Sequence, residues 1–160
     1  MMNLCSDVLK ALAGRTLVTA ESCTGGGIGH ALTAVAGSSS VYKGGIISYC
    51  NDVKNNILNV DGVLLEKHGA VSAPVAEAMA LGAREILRAD VAVSVTGLAG
   101  PDGDDFGNPV GTVYIGYCDE EHCVSFRYLF TGNREEVRTQ AIYKALEIIL
   151  KHSNNMYVCQ

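Results

Sequence analysis

The chain has 160 residues, of which 48% are hydrophobic and 18% are charged, and its formal net charge is −5 at pH 7. This composition excludes a disordered chain and predicts one globular domain over 1–160, with its core at about 3–152. The negative charge argues against nucleic acid as the main partner, because phosphate backbones are bound by clustered Lys and Arg side chains.

No apolar run reaches the roughly 18–20 residues that span a bilayer, and residues 1–12 lack the pattern of a signal peptide. We therefore expect a cytoplasmic protein without a membrane partner, in which the cysteines are reduced. Neither the six cysteines nor the four histidines have the spacing of a metal site. Cys118 and Cys123 flank a predicted turn and can be neighbours across a hairpin, although apolar filling of strands is the favoured interpretation for all six.

Apolar periodicity predicts strands that alternate with helices early in the chain and a hairpin late in it. In chain order the predicted elements are a helix at 3–13, a strand at 16–20, a helix at 28–35, a strand at 44–50, a helix from about 51, helices at 64–68 and 73–87, strands at 90–95, 111–118 and 122–130, and a helix at 133–152. This order predicts an α/β fold, namely a three-layer α/β/α sandwich with a mixed sheet and helices on both faces. The loops at 21–27 and 96–110 both follow strands, and ligands in such folds bind at strand ends, so we expect both loops at one edge.

The segment at 24–27, Thr followed by three glycines, begins the second predicted helix. Backbone N–H groups at a helix start have no partner, so this segment can cradle a phosphate. A tight turn explains it equally well, because it matches neither a Rossmann fingerprint nor a Walker loop.

The glycine-rich loop at 96–103 likewise offers donors to an oxyanion, ribose or phosphate, or is a plain connection. Arg134 and Arg138, one helical turn apart, either reach an anion or lie on a solvated face.

Hydroxyl groups and one lysine between residues 21 and 54 indicate nucleophilic chemistry. A serine hydroxyl is a weak nucleophile at neutral pH and needs a base. Lys54 can be that base if burial lowers its pKa, and Tyr49, in the second predicted strand, can relay a proton. The serines at 38–40 can equally be ordinary loop residues, and Lys54 can be a solvated charge on a helix.

Six short motifs occur in order along the chain: AESCTGG at 20–26, AGSS at 36–39, KGG at 43–45, HGAVS at 68–72, TGLAGPDG at 96–103 and PVGTV at 109–113. With Tyr49, Lys54, the segment at 132–134 and Arg138, they resemble the C-terminal domain of the CinA family (competence/damage-inducible protein) over about 3–152. Enzymatic members of that family are nicotinamide-nucleotide amidases. Longer members carry an extra N-terminal domain, and this chain resembles the stand-alone amidase. It departs from the family at Cys50, where serine is frequent, and in an acidic insert at 104–106.

The resemblance implies hydrolysis of the carboxamide of nicotinamide mononucleotide to nicotinate mononucleotide and ammonia, without a metal or other cofactor, by a homodimer. In this interpretation Ser39 attacks the carboxamide carbon, and Lys54 with Tyr49 moves the proton. Thr96 and nearby backbone N–H groups stabilise the oxyanion. Ser22 is the rival nucleophile. The expected substrate-binding residues are Glu21, Ser22, Thr24, Gly25, Gly26, Gly97, Gly100 and Arg138.

A second hypothesis is a catalytically inactive nucleotide-binding interaction module of the competence/damage-inducible type. In that case the same loops bind a nucleotide, and the protein acts through a partner. The occurrence of Ser39, Tyr49 and Lys54 together favours the enzyme. Release of ammonia from the mononucleotide distinguishes the two hypotheses.

Overall fold

A five-stranded mixed sheet forms the middle layer of the protein, whose computed structural model describes residues 1–155. The strands are β1 (Leu17–Glu21), β2 (Tyr42–Ile47), β3 (Val91–Gly97), β4 (Thr112–Cys118) and β5 (Cys123–Leu129). Their order across the sheet is β2-β1-β3-β4-β5. β1 pairs in parallel with β2 and β3, whereas β3, β4 and β5 are antiparallel neighbours.

Helices cover both faces of this sheet. They are α1 (Met2–Ala11), α2 (Gly27–Thr33), α3 (Asn51–Asn56), α4 (Gly62–His68), α5 (Ala73–Ile86) and α6 (Arg134–Asn155). One apolar cluster joins α1, α2 and α6 to one face, and a second joins α4 and α5 to the other. Val93 and Val95 of β3 belong to the first cluster and Ala92 to the second, so this strand is buried on both faces and reads as an apolar run. The predicted three-layer sandwich is confirmed.

β2 begins and ends earlier than expected, at Tyr42–Ile47 rather than 44–50. Its last residue pairs with Glu21, the last residue of β1, and the N–H of Ser48 donates to the Glu21 carbonyl at 2.8 Å. Because β1 ends there, the chain beyond has no strand on which to continue the ladder. Tyr49 therefore lies outside the strand in which it was expected.

The hairpin of β4 and β5 places Cys118 opposite Cys123, and the two form a disulfide. The expectation that they are neighbours across a hairpin is confirmed, whereas the expectation that these two cysteines are reduced and fill strands is wrong. Residues directly opposite in an antiparallel pair present their side chains on the same face, and this register is not visible in sequence spacing. Cys5, Cys23 and Cys50 carry free thiols.

The last helix, α6, continues to Asn155, whereas its expected end is at 152. The first residues of the tail at 153–160, in which the sequence has no clear pattern, are therefore helical, and 156–160 lie outside the described residues. Within the described part of the chain, no helix combines the length and apolarity needed to cross a membrane.

A buried carboxylate joins the end of β1 to the start of α2. Glu21 is 1% exposed, and its two oxygens accept the N–H groups of Gly26, Ile28 and Gly29 at 3.0–3.1 Å. A helix start leaves such donors without partners. The N-cap residue of α2 provides no side-chain hydrogen bond, and Glu21 accepts these donors instead. Gly26 has a φ of 94°, a left-handed conformation that favours glycine. The turn after β1 is thus held in place by the strand that it follows.

Replacing Glu21 by Gln is expected to lower the free energy of unfolding by about 2–4 kcal/mol, because three hydrogen bonds lose a charged acceptor and the amide NH₂ meets N–H donors. Urea unfolding followed by circular dichroism measures the change. Glu66→Gln is the matched control, since it removes a carboxylate from an exposed position on α4, and we expect a change below about 0.5 kcal/mol. Equal losses in the two variants would contradict the role of Glu21.

Candidate functional site

A cleft of about 240 Å³ opens where the parallel strands end. The loops that follow β1 and β3 form two of its walls, and the segment after β2 and the start of α6 complete it. The prediction that the loops at 21–27 and 96–110 meet at one edge is confirmed. The cleft is lined by Ser22, Cys23, Tyr49, Gly97, Leu98, Ala99, Gly100, Asp102 and Arg134.

A buried lysine contacts one serine of this cleft. Lys54 in α3 is 1% exposed, and its Nζ donates to Ser22 Oγ at 3.1 Å and to the Ser48 carbonyl at 2.6 Å. Ser22 is itself a lining residue of the cleft, so the lysine contacts the wall of the space that a ligand would occupy. The interpretation of Lys54 as a solvated surface charge is therefore wrong.

Burial lowers the pKa of Lys54 below its ordinary value of 10.5, and Cys50 and Cys23 oppose part of this effect. The charged amine loses hydration on burial, and no carboxylate among residues 1–155 forms an ion pair with it. The neutral amine can keep an N–H on the Ser48 carbonyl and turn its lone pair towards the Ser22 hydroxyl. The cleft thus contains a serine hydroxyl beside an amine that can act as a base.

Ser39 lies at the opposite end of the parallel strands from the cleft. It belongs to a turn of 3-10 helix, Ser38–Ser40, that precedes β2, whereas Lys54 lies in the helix that follows β2. A strand rises about 3.3 Å per residue, so the six residues of β2 separate the two side chains. The expected pairing of Ser39 with Lys54 is wrong within one chain, and Ser22 occupies that position.

Tyr49 lines the cleft but hydrogen bonds to an arginine rather than to the lysine. Its hydroxyl accepts a bond from Arg134 at 2.8 Å, and the same guanidinium donates to the Gly100 carbonyl at 2.5 Å. Arg134 therefore joins the segments after β2 and β3 and forms no ion pair with a carboxylate in the described chain. Sequence spacing places it one turn from Arg138 but does not show which of the two faces the cleft. A proton relay through Tyr49 stays a prediction.

Arg138 holds the loop after β1 instead of lining the cleft. Its guanidinium donates to the carbonyl oxygens of Cys23 and Thr24 at 3.1 and 3.3 Å and pairs with Glu135 at 2.9 Å. Each of its three nitrogens thus has a protein partner. These contacts are structural, because the rotation of α6 turns Arg138 towards the loop, and its expected contact with the substrate stays a prediction.

The predicted phosphate cradle at 24–27 is occupied by the protein itself. The N–H groups of residues 25–29 donate to the carbonyl oxygens of Ser22 and Thr24 and to the Glu21 carboxylate. A phosphate at this place would meet that carboxylate, so the interpretation as a tight turn fits the geometry. The Thr24 hydroxyl is buried without a hydrogen-bond partner among the described residues. Contact with a ligand by other atoms stays a prediction for Glu21, Thr24, Gly25 and Gly26.

The loop after β3 combines close packing with free donors. Thr96 is buried, and its hydroxyl donates to the Ala70 carbonyl at 2.8 Å. A Cβ on Gly97 would lie 2.7 Å from a valine side chain of β4, so only glycine fits there. Ala99 and Gly100 line the cleft, and their N–H groups donate to no other residue in the described chain. This loop can therefore offer backbone donors to a ligand.

The thiol of Cys23 does not compete as a nucleophile, although it lines the same cleft. Burial raises its pKa to about 11, and its own backbone N–H and the charges of Lys54 and Arg138 offset only part of that rise. The thiol is therefore protonated at neutral pH, whereas the thiolate is the reactive form. Ser22 has the buried base beside it and is the better candidate.

Comparison with known proteins places the chain in one family. The sequence profile of the CinA C-terminal domain matches residues 2–153. A CinA-like protein of Synechococcus sp. (strain CC9311) is 56% identical over 140 residues, which are 85% of this chain and 33% of the relative. A CinA-like protein of Citrifermentans bemidjiense is 48% identical over 140 residues, 88% of this chain and 34% of the relative. The chain therefore spans about a third of the length of these curated relatives.

Solved structures agree over nearly the whole chain. A competence-damaged protein (CinA) superfamily protein of Klebsiella pneumoniae superposes with a TM-score of 0.93 at 34% identity, covering 96% of this chain and 98% of that one. A competence/damage inducible protein of Agrobacterium tumefaciens superposes with a TM-score of 0.90 at 38% identity, covering 96% and 94%. From the sequence profile, the identities and the shared fold, the chain belongs to the CinA C-terminal domain family.

Proposed function

We propose that the chain hydrolyses the carboxamide of nicotinamide mononucleotide to nicotinate mononucleotide and ammonia. The observation that carries this proposal is the 3.1 Å contact between the buried amine of Lys54 and the hydroxyl of Ser22 in an open cleft. Amide hydrolysis through an acyl-enzyme needs a nucleophile and a group that first takes and later returns a proton. Membership of the CinA C-terminal domain family supports the choice of substrate.

The reaction proceeds in two halves. Ser22 Oγ attacks the carboxamide carbon while neutral Lys54 takes the hydroxyl proton. Lys54 then returns that proton to the leaving nitrogen, ammonia departs, and the nicotinoyl group stays on Ser22 as an ester. Water next attacks the ester carbon, with Lys54 again taking a proton, and Ser22 leaves with its hydroxyl restored.

Backbone donors of the loop after β3 stabilise the oxyanion of each tetrahedral intermediate. Ala99 and Gly100 line the same cleft as Ser22, and their N–H groups are free of protein acceptors in the described chain. Donors without a protein acceptor are available as charge develops on the substrate oxygen. Thr96, whose hydroxyl donates to a backbone carbonyl, supports the base of this loop.

Arg134 binds the phosphate of the mononucleotide. Its guanidinium lines the cleft, and its present acceptors are the neutral oxygens of Tyr49 and Gly100. A phosphate is a stronger acceptor for guanidinium than either of these, because both partners are then charged. This assigns to Arg134 the anion contact that was expected of Arg138.

Two further implications of the resemblance, a homodimer and a cytoplasmic location, stay predictions. Analytical ultracentrifugation of the purified chain measures the first. Fractionation of cells that express it tests the second.

Replacing Ser22 by Ala is expected to lower kcat for ammonia release by at least about a thousandfold, because no acyl-enzyme can form. Ser39→Ala is the matched control: it removes the same hydroxyl from an exposed turn at the opposite end of the parallel strands, and its kcat should stay within about twofold of wild type. A coupled assay of ammonia release from nicotinamide mononucleotide measures both.

Full turnover by Ser22→Ala with loss in Ser39→Ala would return the role of nucleophile to Ser39. Ligand binding without any ammonia release by the wild type would favour the inactive interaction module over the enzyme.

Replacing Lys54 by Met is expected to lower kcat by about 10²–10⁴-fold with little change in KM, because the base acts on the chemical step. In the wild type, kcat/KM should rise with pH to a plateau, since the active form is the neutral amine. Burial lowers the pKa of Lys54, so the midpoint of this rise should lie below 10.5. Lys54→Arg keeps a cation that does not deprotonate and should abolish activity at every pH. An unchanged rate in either variant would remove Lys54 from the mechanism.

Replacing Arg134 by Met is expected to raise KM for nicotinamide mononucleotide by about tenfold or more, because a charge-assisted contact with phosphate is lost. Nicotinamide riboside, which lacks the phosphate, is the matched control substrate, and its KM should change by less than about twofold. A rise of equal size for the two substrates would show that Arg134 acts by holding Tyr49 and not by binding phosphate.

A further inference from the structure

Two side chains of opposite charge line the cleft without pairing with each other. Asp102 and Arg134 both face this space, and no ion pair joins them. Neither forms an ion pair elsewhere in residues 1–155. Arg138, one turn along α6, contrasts with them, because it is paired with Glu135. The cleft therefore presents separate positive and negative positions to a ligand.

Asp102 differs from the other carboxylates of its loop. Asp104 is engaged locally, since its oxygens accept the N–H groups of Phe106 and Asn108 and the side-chain amide of Asn108. Asp105 lines a neighbouring hollow and does not line the cleft of Ser22. Asp102 accepts no hydrogen bond in the described chain and is the carboxylate that reaches this cleft.

The backbone just before Asp102 is bound by the same arginine that lines the cleft. Arg134 donates to the carbonyl of Gly100, two residues before Asp102. That bond ties the segment carrying the carboxylate to the start of α6. Both charges line one cleft, so a ligand that carries one charge of each sign can meet a partner of opposite sign at each end.

We propose that Asp102 is a specificity residue that selects substrates with a positively charged ring. The inference rests on the proposed function and deepens it. The phosphate of nicotinamide mononucleotide binds Arg134, and the pyridinium ring lies beside Asp102. Both charges of the substrate then have a partner of opposite sign. The 1,4-dihydro form of the same nucleotide has the phosphate but an uncharged ring, so it gains nothing from Asp102.

The test compares these two ligands in the wild type and in Asp102→Asn. KM for nicotinamide mononucleotide comes from ammonia release, and Ki for the dihydro form comes from competitive inhibition of that reaction. Asp102→Asn should raise KM about three- to tenfold and change Ki by less than about twofold, because an exposed charge acts through screened water. Added salt should bring KM for nicotinamide mononucleotide and Ki for the dihydro form closer together in the wild type and not in the variant.

Asp105→Asn is the matched control, since it removes the same charge from the same loop outside the cleft, and the ratio of Ki to KM should stay at the wild-type value. The inference is overturned if Asp102→Asn leaves that ratio unchanged, or if Asp105→Asn lowers it as much. If the wild type releases no ammonia, the proposed reaction fails. Calorimetric binding of the same two ligands then decides the inference by itself, and equal affinities or no binding would overturn it.

Discussion

The hydrogen bonds of one buried carboxylate hold the edge of the sheet on which the cleft depends. Glu21 ends β1, and three N–H groups of the following turn and helix converge on it. The next residue, Ser22, is held from the other side, because its N–H donates to the Val95 carbonyl of β3 at 2.9 Å. The backbone of Ser22 is therefore held by β1 and β3, as its proposed role as a nucleophile requires, because a nucleophile must meet its substrate in a narrow range of geometries.

The burial of Lys54 supplies the second requirement of the site. Burial of an ammonium without an ion pair is unfavourable in free energy, because the charge loses its hydration. Loss of the proton removes that charge, so burial lowers the pKa of the amine. The Ser48 carbonyl, at 2.6 Å, gives the amine a neutral acceptor, and Ser22 gives it a hydroxyl at 3.1 Å. The same desolvation that disfavours the cation thus favours a neutral amine beside the hydroxyl that we propose as the nucleophile.

Two arginines one turn apart on α6 perform different tasks because the helix presents them to different partners. Arg138 uses all of its nitrogens on the loop after β1 and on Glu135. Arg134 contacts neutral oxygens and keeps its charge available to the cleft, where Asp102 supplies the opposite sign. The N–H groups of the glycine loop donate to the Ser22 and Thr24 carbonyls and to the Glu21 carboxylate, so the protein itself uses the donors that were expected to cradle a phosphate.

The sequence by itself determined the layers of the fold and the loops that form the cleft. Apolar periodicity reports which faces of helices and strands are buried, and the carboxyl ends of parallel strands meet at one edge whatever the side chains are. The bounds of β2 and the disulfide could not be predicted in this way, because each depends on a register with another strand. The tertiary structure alone decided which serine contacts Lys54, since Ser22 follows the end of β1 whereas Ser39 precedes the start of β2, at the opposite end of the parallel strands. It also decided that Arg134 and not Arg138 faces the cleft, because the rotation of a helix against its neighbours is set by packing and not by the spacing of its residues.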